Sequence, residues 1–175
     1  PFIEMDEIRV GSTWASVTPV GSVVVPALTA GTVTSFGSVT TGSNSASQSA
    51  TLSGTNLTGA PGNITLTAPN TDFQVSSDNT TWGATATIPY ATGTLAATSF
   101  YVRFTPQSNG LKSGNVSIAG GGATASVPVS GTGTVIAAPV ATAATAVGGT
   151  GFTANWNAVS GATGYFLDVY TKVPG

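Results

Sequence analysis

Hydrophobic and polar residues alternate in short runs along most of this chain, and no run repeats with the period of a helix. In the clearest run, residues 99–105, Phe100, Val102 and Phe104 alternate with more polar neighbours. Successive side chains of a β-strand point to opposite faces of a sheet, so a period of two predicts strands. Glycine, proline, asparagine and serine separate the runs and predict turns. We predict strands over residues 32–39, 47–54, 63–68, 72–76, 84–90, 99–105, 114–119 and 123–131.

The inward positions of these predicted strands carry apolar side chains and define a candidate core. Seven or eight short strands within about 100 residues are typical of two sheets packed face to face. We therefore predict an all-β chain whose central part is a two-sheet antiparallel sandwich. Its expected core side chains are Ala50, Leu52, Ile64, Leu66, Ala68, Phe73, Val75, Ala86, Ile88, Phe100, Val102, Phe104, Val116, Ile118, Ala125, Val127 and Val129.

Shorter patterns flank the predicted sandwich. Residues 2–10 alternate as one strand, and residues 19–29 contain two prolines, which indicates a linker. The last alternating positions are Phe152, Ala154 and Trp156 on one predicted strand and Tyr165, Leu167 and Val169 on another. We expect the last four of these side chains to lie in the core of a further domain.

Ionisable residues are scarce, at 6% of the chain against about 25% in an average soluble protein. The chain has no His and no Cys, which excludes Ser-His-Asp and Cys-His catalysis, the usual zinc sites and disulfides. A net charge of −2 without a basic run argues against a nucleic-acid partner. No apolar run reaches the roughly 18 residues that predict a membrane span. The first residue is Pro1 rather than Met, so we expect part of a longer protein.

Three motifs of the central region resemble a known family. "SGTNL", "VRFTP" and "VSGTG" occur in this order between residues 29 and 134. Together they resemble an Ig-like sandwich of large secreted and cell-surface proteins from Bacteroidota-type bacteria. The resemblance implies an Ig-like β-sandwich over residues 30–134 and an extracellular or cell-surface location, often reached by the type IX secretion route.

Two further stretches resemble parts of other β-domains. Residues 138–171, with Trp156 at the position of that family's core tryptophan, resemble strands A to C of a fibronectin type III domain. The segment "FIEMDEIRVGSTW" resembles the last strand of a jelly-roll or concanavalin-like domain. These resemblances imply partial β-sandwich domains at both ends. The predicted division is 1–18 for the jelly-roll strand, 19–29 for a linker, 30–134 for the Ig-like sandwich and 135–175 for the fibronectin part.

The acidic residues offer the main candidates for a metal site. Glu4 and Asp6 share one face of the first predicted strand, and Asp72 and Asp78 flank another strand beside Asn70 and Asn79. Hard carboxylate oxygens suit Ca²⁺, so calcium is a possible ligand at each pair. For the first pair, the alternative is that the two charges discourage aggregation through an edge strand. For the second pair, the alternative is that the aspartates form turns. Two carboxylates on one strand could also resemble a glycosidase pair, although the sequence shows no groove for a substrate.

A second group of candidates is aromatic or nucleophilic. Aromatic rings stack on sugars, and burial in a core is the alternative for each ring. Lys112 and Ser113 could form a Ser-Lys pair, but adjacent strand residues point apart and a solvated turn is the alternative. The aromatic candidates for a sugar site are Trp14, Trp82, Tyr90, Tyr101 and Tyr170.

We therefore expect no enzyme, but a structural or adhesive spacer or an interaction module of an exported bacterial surface protein. Its expected partners are neighbouring domains of the same chain, surface glycans or other copies that pair with free strand edges. Two alternatives stay open. One is the accessory region of a secreted hydrolase that degrades polysaccharide or nucleic acid with a catalytic domain elsewhere. The other is a carbohydrate-binding or calcium-binding module.

Overall fold

A computed structural model describes residues 24–169 of the chain, and within this range the regular structure consists of β-strands without a helix. The strands are β1 (Ala27–Ala30), β2 (Ser38–Thr40), β3 (Gln48–Thr55), β4 (Gly62–Thr67), β5 (Phe73–Ser76), β6 (Thr85–Tyr90), β7 (Leu95–Phe104), β8 (Gly110–Gly120), β9 (Ala123–Thr134), β10 (Ala141–Gly148) and β11 (Gly151–Trp156).

The first nine strands form two sheets. Sheet A has the order β1-β3-β7-β5, and sheet B has the order β2-β9-β8-β4-β6. This arrangement confirms the all-β, Ig-like two-sheet sandwich. All pairs within it are antiparallel except β2 and β9, which run parallel with Val39 opposite Gly133. Sheet B is therefore mixed, whereas sheet A is purely antiparallel. The parallel pair arises because the chain crosses from sheet A to sheet B between β1 and β2 and joins β9 in the same direction.

The core lies between the two sheets and follows the predicted alternation. Phe100, Val102 and Phe104 of β7 are fully buried, as are Ile64 and Leu66 of β4. At one end of the core the rings of Phe36, Phe73 and Phe104 pack together, with 5.0 Å between the centroids of the last two. Three predicted core alanines, Ala68, Ala86 and Ala125, are only partly buried at its margin.

The structure changes the predicted start of the sandwich. Residues 27–29, predicted to belong to a linker, are part of β1, which pairs with β3. The predicted strand over residues 32–39 is mostly irregular, and only its end lies in β2. The reason is the crossing between sheets: Gly31 N donates to Thr51 O in sheet A, whereas Phe36 N donates to Ser130 O in sheet B. A segment that changes sheets cannot continue one ladder of hydrogen bonds.

The strands β10 and β11 form a separate two-stranded antiparallel sheet. The expectation that Trp156, Tyr165, Leu167 and Val169 lie in a core is wrong for residues 24–169. Trp156 is 37% exposed and Leu167 is 56% exposed, and residues 165–169 form no strand. Two strands have one shared ladder and no second layer, so they cannot enclose side chains. The assignment of residues 135–175 to a fibronectin type III domain stays a prediction.

Candidate functional site

Of the predicted calcium ligands, the structure describes Asp72 and Asp78. Glu4 and Asp6 lie outside the described residues, as do Trp14 and Tyr170. The carboxylate of Asp78 accepts hydrogen bonds within the loop after β5, and that of Asp72 accepts one at the turn before β5. Within residues 24–169 no three acidic, histidine or cysteine side chains form a group that could hold a metal ion. Calcium binding at these residues therefore stays a prediction.

The carboxylate of Asp78 closes a tight loop over residues 76–81. Its Oδ1 accepts hydrogen bonds from the backbone N–H groups of Thr81 and Thr80 at 2.7 and 2.8 Å, and from the hydroxyl of Ser76 at 2.9 Å. The Thr81 hydroxyl donates to Oδ2 at 2.9 Å. These donors, first the Thr81 and Thr80 amides and then the Ser76 hydroxyl, hold the pKa of Asp78 far below its usual range. Asn79 adopts a left-handed backbone here, so the segment shows the turn chemistry that the sequence offered as the alternative to calcium.

The Asp72 carboxylate braces a different turn. Its Oδ1 accepts the backbone N–H of Gln107 at 2.8 Å, and its own N–H donates to Asn70 Oδ1 at 2.9 Å. The Thr105 N–H donates to the Asp72 carbonyl at 2.7 Å. Asp72 thereby ties the chain before β5 to the chain after β7. The N–H groups of Gln107 and Thr105 follow the end of β7, where they have no partner strand, and Asp72 supplies their acceptors.

Lysine and serine do come together, but not as the sequence suggested. Lys112 Nζ lies 2.7 Å from the hydroxyl oxygen of Ser108, rather than beside that of Ser113. The hydrogen bond is exposed and joins Ser108, on the connection between β7 and β8, to Lys112 on β8. A lysine that activates a serine must be desolvated so that it can lose its proton. This exposed contact therefore supports a surface hydrogen bond and no catalytic role.

The aromatic candidates have different environments. Tyr90 is buried, and its hydroxyl donates to the carbonyl of Thr58 at 2.6 Å, so its role is structural. Trp82 and Tyr101 are half-buried on the outer side of sheet A. Arg103, two residues after Tyr101 on β7, places its guanidinium over the Trp82 ring, with Cζ 4.6 Å from the ring centroid.

Gln74 fixes the other side of this guanidinium. Arg103 Nε and Nη2 both donate to Gln74 Oε1, at 2.8 and 2.6 Å. Gln74 and Arg103 are direct cross-strand neighbours on β5 and β7, so the strand register itself brings them together. A guanidinium carries five N–H donors. Two of them point to Gln74, and the Trp82 ring lies against the guanidinium.

A surface cleft of about 420 Å³ opens beside Gln74, at the side of the sandwich where β5 of sheet A faces the outer strands of sheet B. We call it the amide cleft because three carboxamides, those of Asn70, Gln74 and Gln107, contribute to its lining. Its remaining lining residues are Ala68, Thr71, Phe73 and Ala84. Sequence reasoning singled out Asn70 as a turn residue and missed both glutamines. No sequence motif indicates them, because Gln74 and Gln107 are far apart in the chain and line the same cleft only in the folded structure.

Each carboxamide of the cleft uses one atom to hold its own position. Gln74 Oε1 accepts from Arg103, Asn70 Oδ1 accepts from the Asp72 amide, and Gln107 Nε2 donates to the Thr105 carbonyl at 2.7 Å. Within residues 24–169 the opposite atoms of the three carboxamides have no protein partner. The amide cleft thus combines two fixed donor groups, Asn70 Nδ2 and Gln74 Nε2, with one fixed acceptor, Gln107 Oε1.

Comparison with known proteins finds similarity to solved structures alone. No family model matches the chain, and no curated protein matches it. Among solved structures, the chain is similar to an ASH / PapD-like domain of human CEP192 (PapD-like domain 7). The similarity has 13% sequence identity and a TM-score of 0.36, and covers 78% of this chain and 100% of that domain. Within residues 24–169 no helix is long and apolar enough to cross a membrane.

Proposed function

We propose that this protein is a non-catalytic spacer or interaction module of an exported bacterial cell-surface protein. One observation carries the spacer role: the chain joins the sandwich at one end and leaves it at the opposite end. Such a sandwich holds its N-terminal and C-terminal connections apart by its own length. Neighbouring domains of a longer chain would then be arranged in series.

The N-terminal end of the sandwich is defined by contacts of Pro26 and β1. Ala27 pairs with Thr55, the last residue of β3. A methyl group at Gly122, in the turn between β8 and β9, would lie 3.2 Å from Pro26 Cγ. The chain therefore arrives next to the turn that precedes β9.

The C-terminal end lies at the far end of that same strand. Thr134, the last residue of β9, pairs with Thr40, and its carbonyl accepts hydrogen bonds from both the N–H and the hydroxyl of Thr41. Strand β9 has 12 residues. At ~3.3 Å per residue it spans roughly 36 Å, which is the separation that the sandwich imposes on its two connections.

The pairing of β2 with β9 suits a chain that is pulled from both ends. Tension would draw β2 towards the N-terminal end and β9 towards the C-terminal end. Because these strands are parallel, their hydrogen bonds lie across the pull and must break together rather than one after another. The backbone hydrogen bonds between β9 and the chain around β2 include Phe36 N to Ser130 O at 2.9 Å, Thr132 N to Gly37 O at 2.8 Å and Thr41 N to Thr134 O at 2.7 Å.

Single-molecule pulling tests the spacer role. The chain contains no Cys, so a pair of introduced cysteines defines the two points of attachment. Val25→Cys with Val135→Cys, both at exposed positions, loads the sandwich end to end. Leu111→Cys with Val135→Cys pulls the β8–β9 pair apart from one end, since Leu111 pairs with Thr132. We expect a clearly higher unfolding force in the first geometry, and equal or reversed forces would refute the spacer role.

The export and surface location rest on composition. A surface solvated by serine, threonine and asparagine with few charges is common in secreted β-proteins. The resemblance of the central motifs to surface proteins of Bacteroidota-type bacteria favours the same location, and the fibronectin-like residues 135–175 favour a multidomain array. Antibody labelling of intact cells that produce the protein tests this location. Label that becomes accessible only after lysis would contradict it.

A further inference from the structure

The amide cleft has the properties of a binding site for a sugar. A small-molecule site is a concavity of about 300–1,000 Å³ with a few fixed polar groups, and this cleft measures about 420 Å³. Its polar groups are carboxamides, which can both donate to and accept from hydroxyl groups. We propose that the amide cleft binds one sugar ring of a glycan chain.

The donors and acceptor of the cleft are held before any ligand arrives. Gln74 is fixed by Arg103, Gln107 by the Thr105 carbonyl, and Asn70 by the Asp72 amide. A ligand therefore orders few side chains on binding, which lowers the entropic cost of association. Neighbouring hydroxyls of a sugar ring alternate freely between donor and acceptor roles, so they match a mixed set of two donors and one acceptor.

Arg103, Trp82 and Tyr101 do not line the cleft itself but lie beyond Gln74, and we call these aromatic and cationic residues its rim. Arg103 bonds to Gln74 and stacks on Trp82, and three of its five N–H donors point elsewhere than to Gln74. Tyr101 lies two residues away on the same face of β7. A glycan longer than one ring would continue from the cleft over this rim, where the guanidinium favours an oxygen-rich or carboxylated unit.

A peptide is the poorer fit to the same surface. Extended peptides bind by adding a strand to an open sheet edge, with side chains in apolar pockets. The edge of β5 is already engaged at its middle, because Val75 and Gly83 exchange backbone hydrogen bonds at 2.9 and 3.2 Å. The cleft itself presents amides and a threonine, with Phe73 as its one aromatic lining residue. Its carboxamides can bind the hydroxyl groups of a sugar, and its alanines and Phe73 can contact the apolar carbons of the ring.

The test is titration calorimetry of the 175-residue chain with soluble oligosaccharides. Cello- and xylo-oligosaccharides serve as neutral probes, and an oligogalacturonate serves as the carboxylated probe, so the panel also identifies which glycan type is bound. Binding of at least one probe is expected. Gln74→Ala should weaken it by roughly tenfold, the effect of about one or two hydrogen bonds.

Two variants keep the result interpretable. Ala84→Phe fills the cleft without removing a polar group and should abolish binding, while Asn115→Ala removes an exposed amide from sheet B and should leave affinity unchanged. Melting temperatures confirm that each variant is folded. The proposal is overturned if no probe binds, or if affinity is the same in Ala84→Phe and Gln74→Ala as in the unaltered chain.

Discussion

The guanidinium of Arg103 lies over the indole ring of Trp82, with 4.6 Å between Cζ and the ring centroid. This contact joins β7, in the middle of sheet A, to the chain just before β6 in sheet B. The exchange of backbone hydrogen bonds between Val75 and Gly83 lies directly beside it. Together these contacts hold the connection from β5 to β6 against the outer face of sheet A.

Replacing Trp82 with alanine should therefore loosen this connection. A cation–π contact at a partly exposed position contributes about 0.5–1 kcal/mol, and lost packing adds to it. We expect Trp82→Ala to lower the free energy of unfolding by about 1–2 kcal/mol in urea titrations followed by circular dichroism. Trp82→Phe keeps an aromatic face and should lose less than half as much. Equal losses in the two variants would show that the ring face does not matter.

The hydroxyl of Tyr90 allows a test of one partly buried hydrogen bond. Its donation to the Thr58 carbonyl at 2.6 Å closes the N-terminal end of the sandwich. Tyr90→Phe removes this bond and leaves the ring in the core, so stability should fall by about 0.5–1.5 kcal/mol. Because the site is remote from the amide cleft, any glycan affinity should stay unchanged. An unchanged melting temperature would contradict the structural role.

The Asp78 loop predicts a pH dependence with a definite sign. A carboxyl whose pKa is lowered on folding stabilises the fold above its ordinary pKa of about 3.9, and this contribution is lost as the pH falls towards the folded-state pKa. The difference in melting temperature between the unaltered chain and Asp78→Asn should therefore be largest near neutral pH and shrink below about pH 4.

Thr81→Val provides a graded comparison for the same loop. It removes the hydroxyl that donates to Asp78 Oδ2 but keeps the backbone donor to Oδ1. The carboxyl titration of Asp78, followed by NMR, should move part of the way back towards the ordinary value. A titration that does not move would show that the backbone donors alone set this pKa.

A glycine in β9 makes room for the largest ring cluster. A methyl group at Gly131 would lie 2.7 Å from the ring of Phe104, which is fully buried. Gly131→Ala should overpack the core and cost about 1–3 kcal/mol in unfolding titrations. Gly148→Ala, in the β10–β11 sheet with nothing within 4 Å, is the matched control and should change stability by less than about 0.5 kcal/mol. Similar small effects at both positions would contradict tight packing around Phe104.

The sequence alone determined the strands and the side chains between the sheets. The alternation of Phe100, Val102 and Phe104 has one physical solution, a strand with one buried face, because a period of two fits no helix. The same reasoning placed Ile64, Leu66, Val116 and Ile118 correctly. It failed for Ala27–Ala30, where Leu28 is the only large apolar side chain and a single such residue marks no period. It also failed for the late aromatic residues around Trp156, whose burial depends on strands that must pack over them.

Only the tertiary structure decided the parallel pairing of β2 with β9 and the composition of the amide cleft. Both depend on register between segments far apart in the chain: Ser38 pairs with Thr132, and Gln74 faces Arg103. The alternation of apolar and polar residues predicts which face of a strand is buried, but it does not predict which strand lies beside it. Polar side chains such as Gln74 and Gln107 have no period of their own, so their meeting becomes visible only when packing of the apolar faces has brought the strands together.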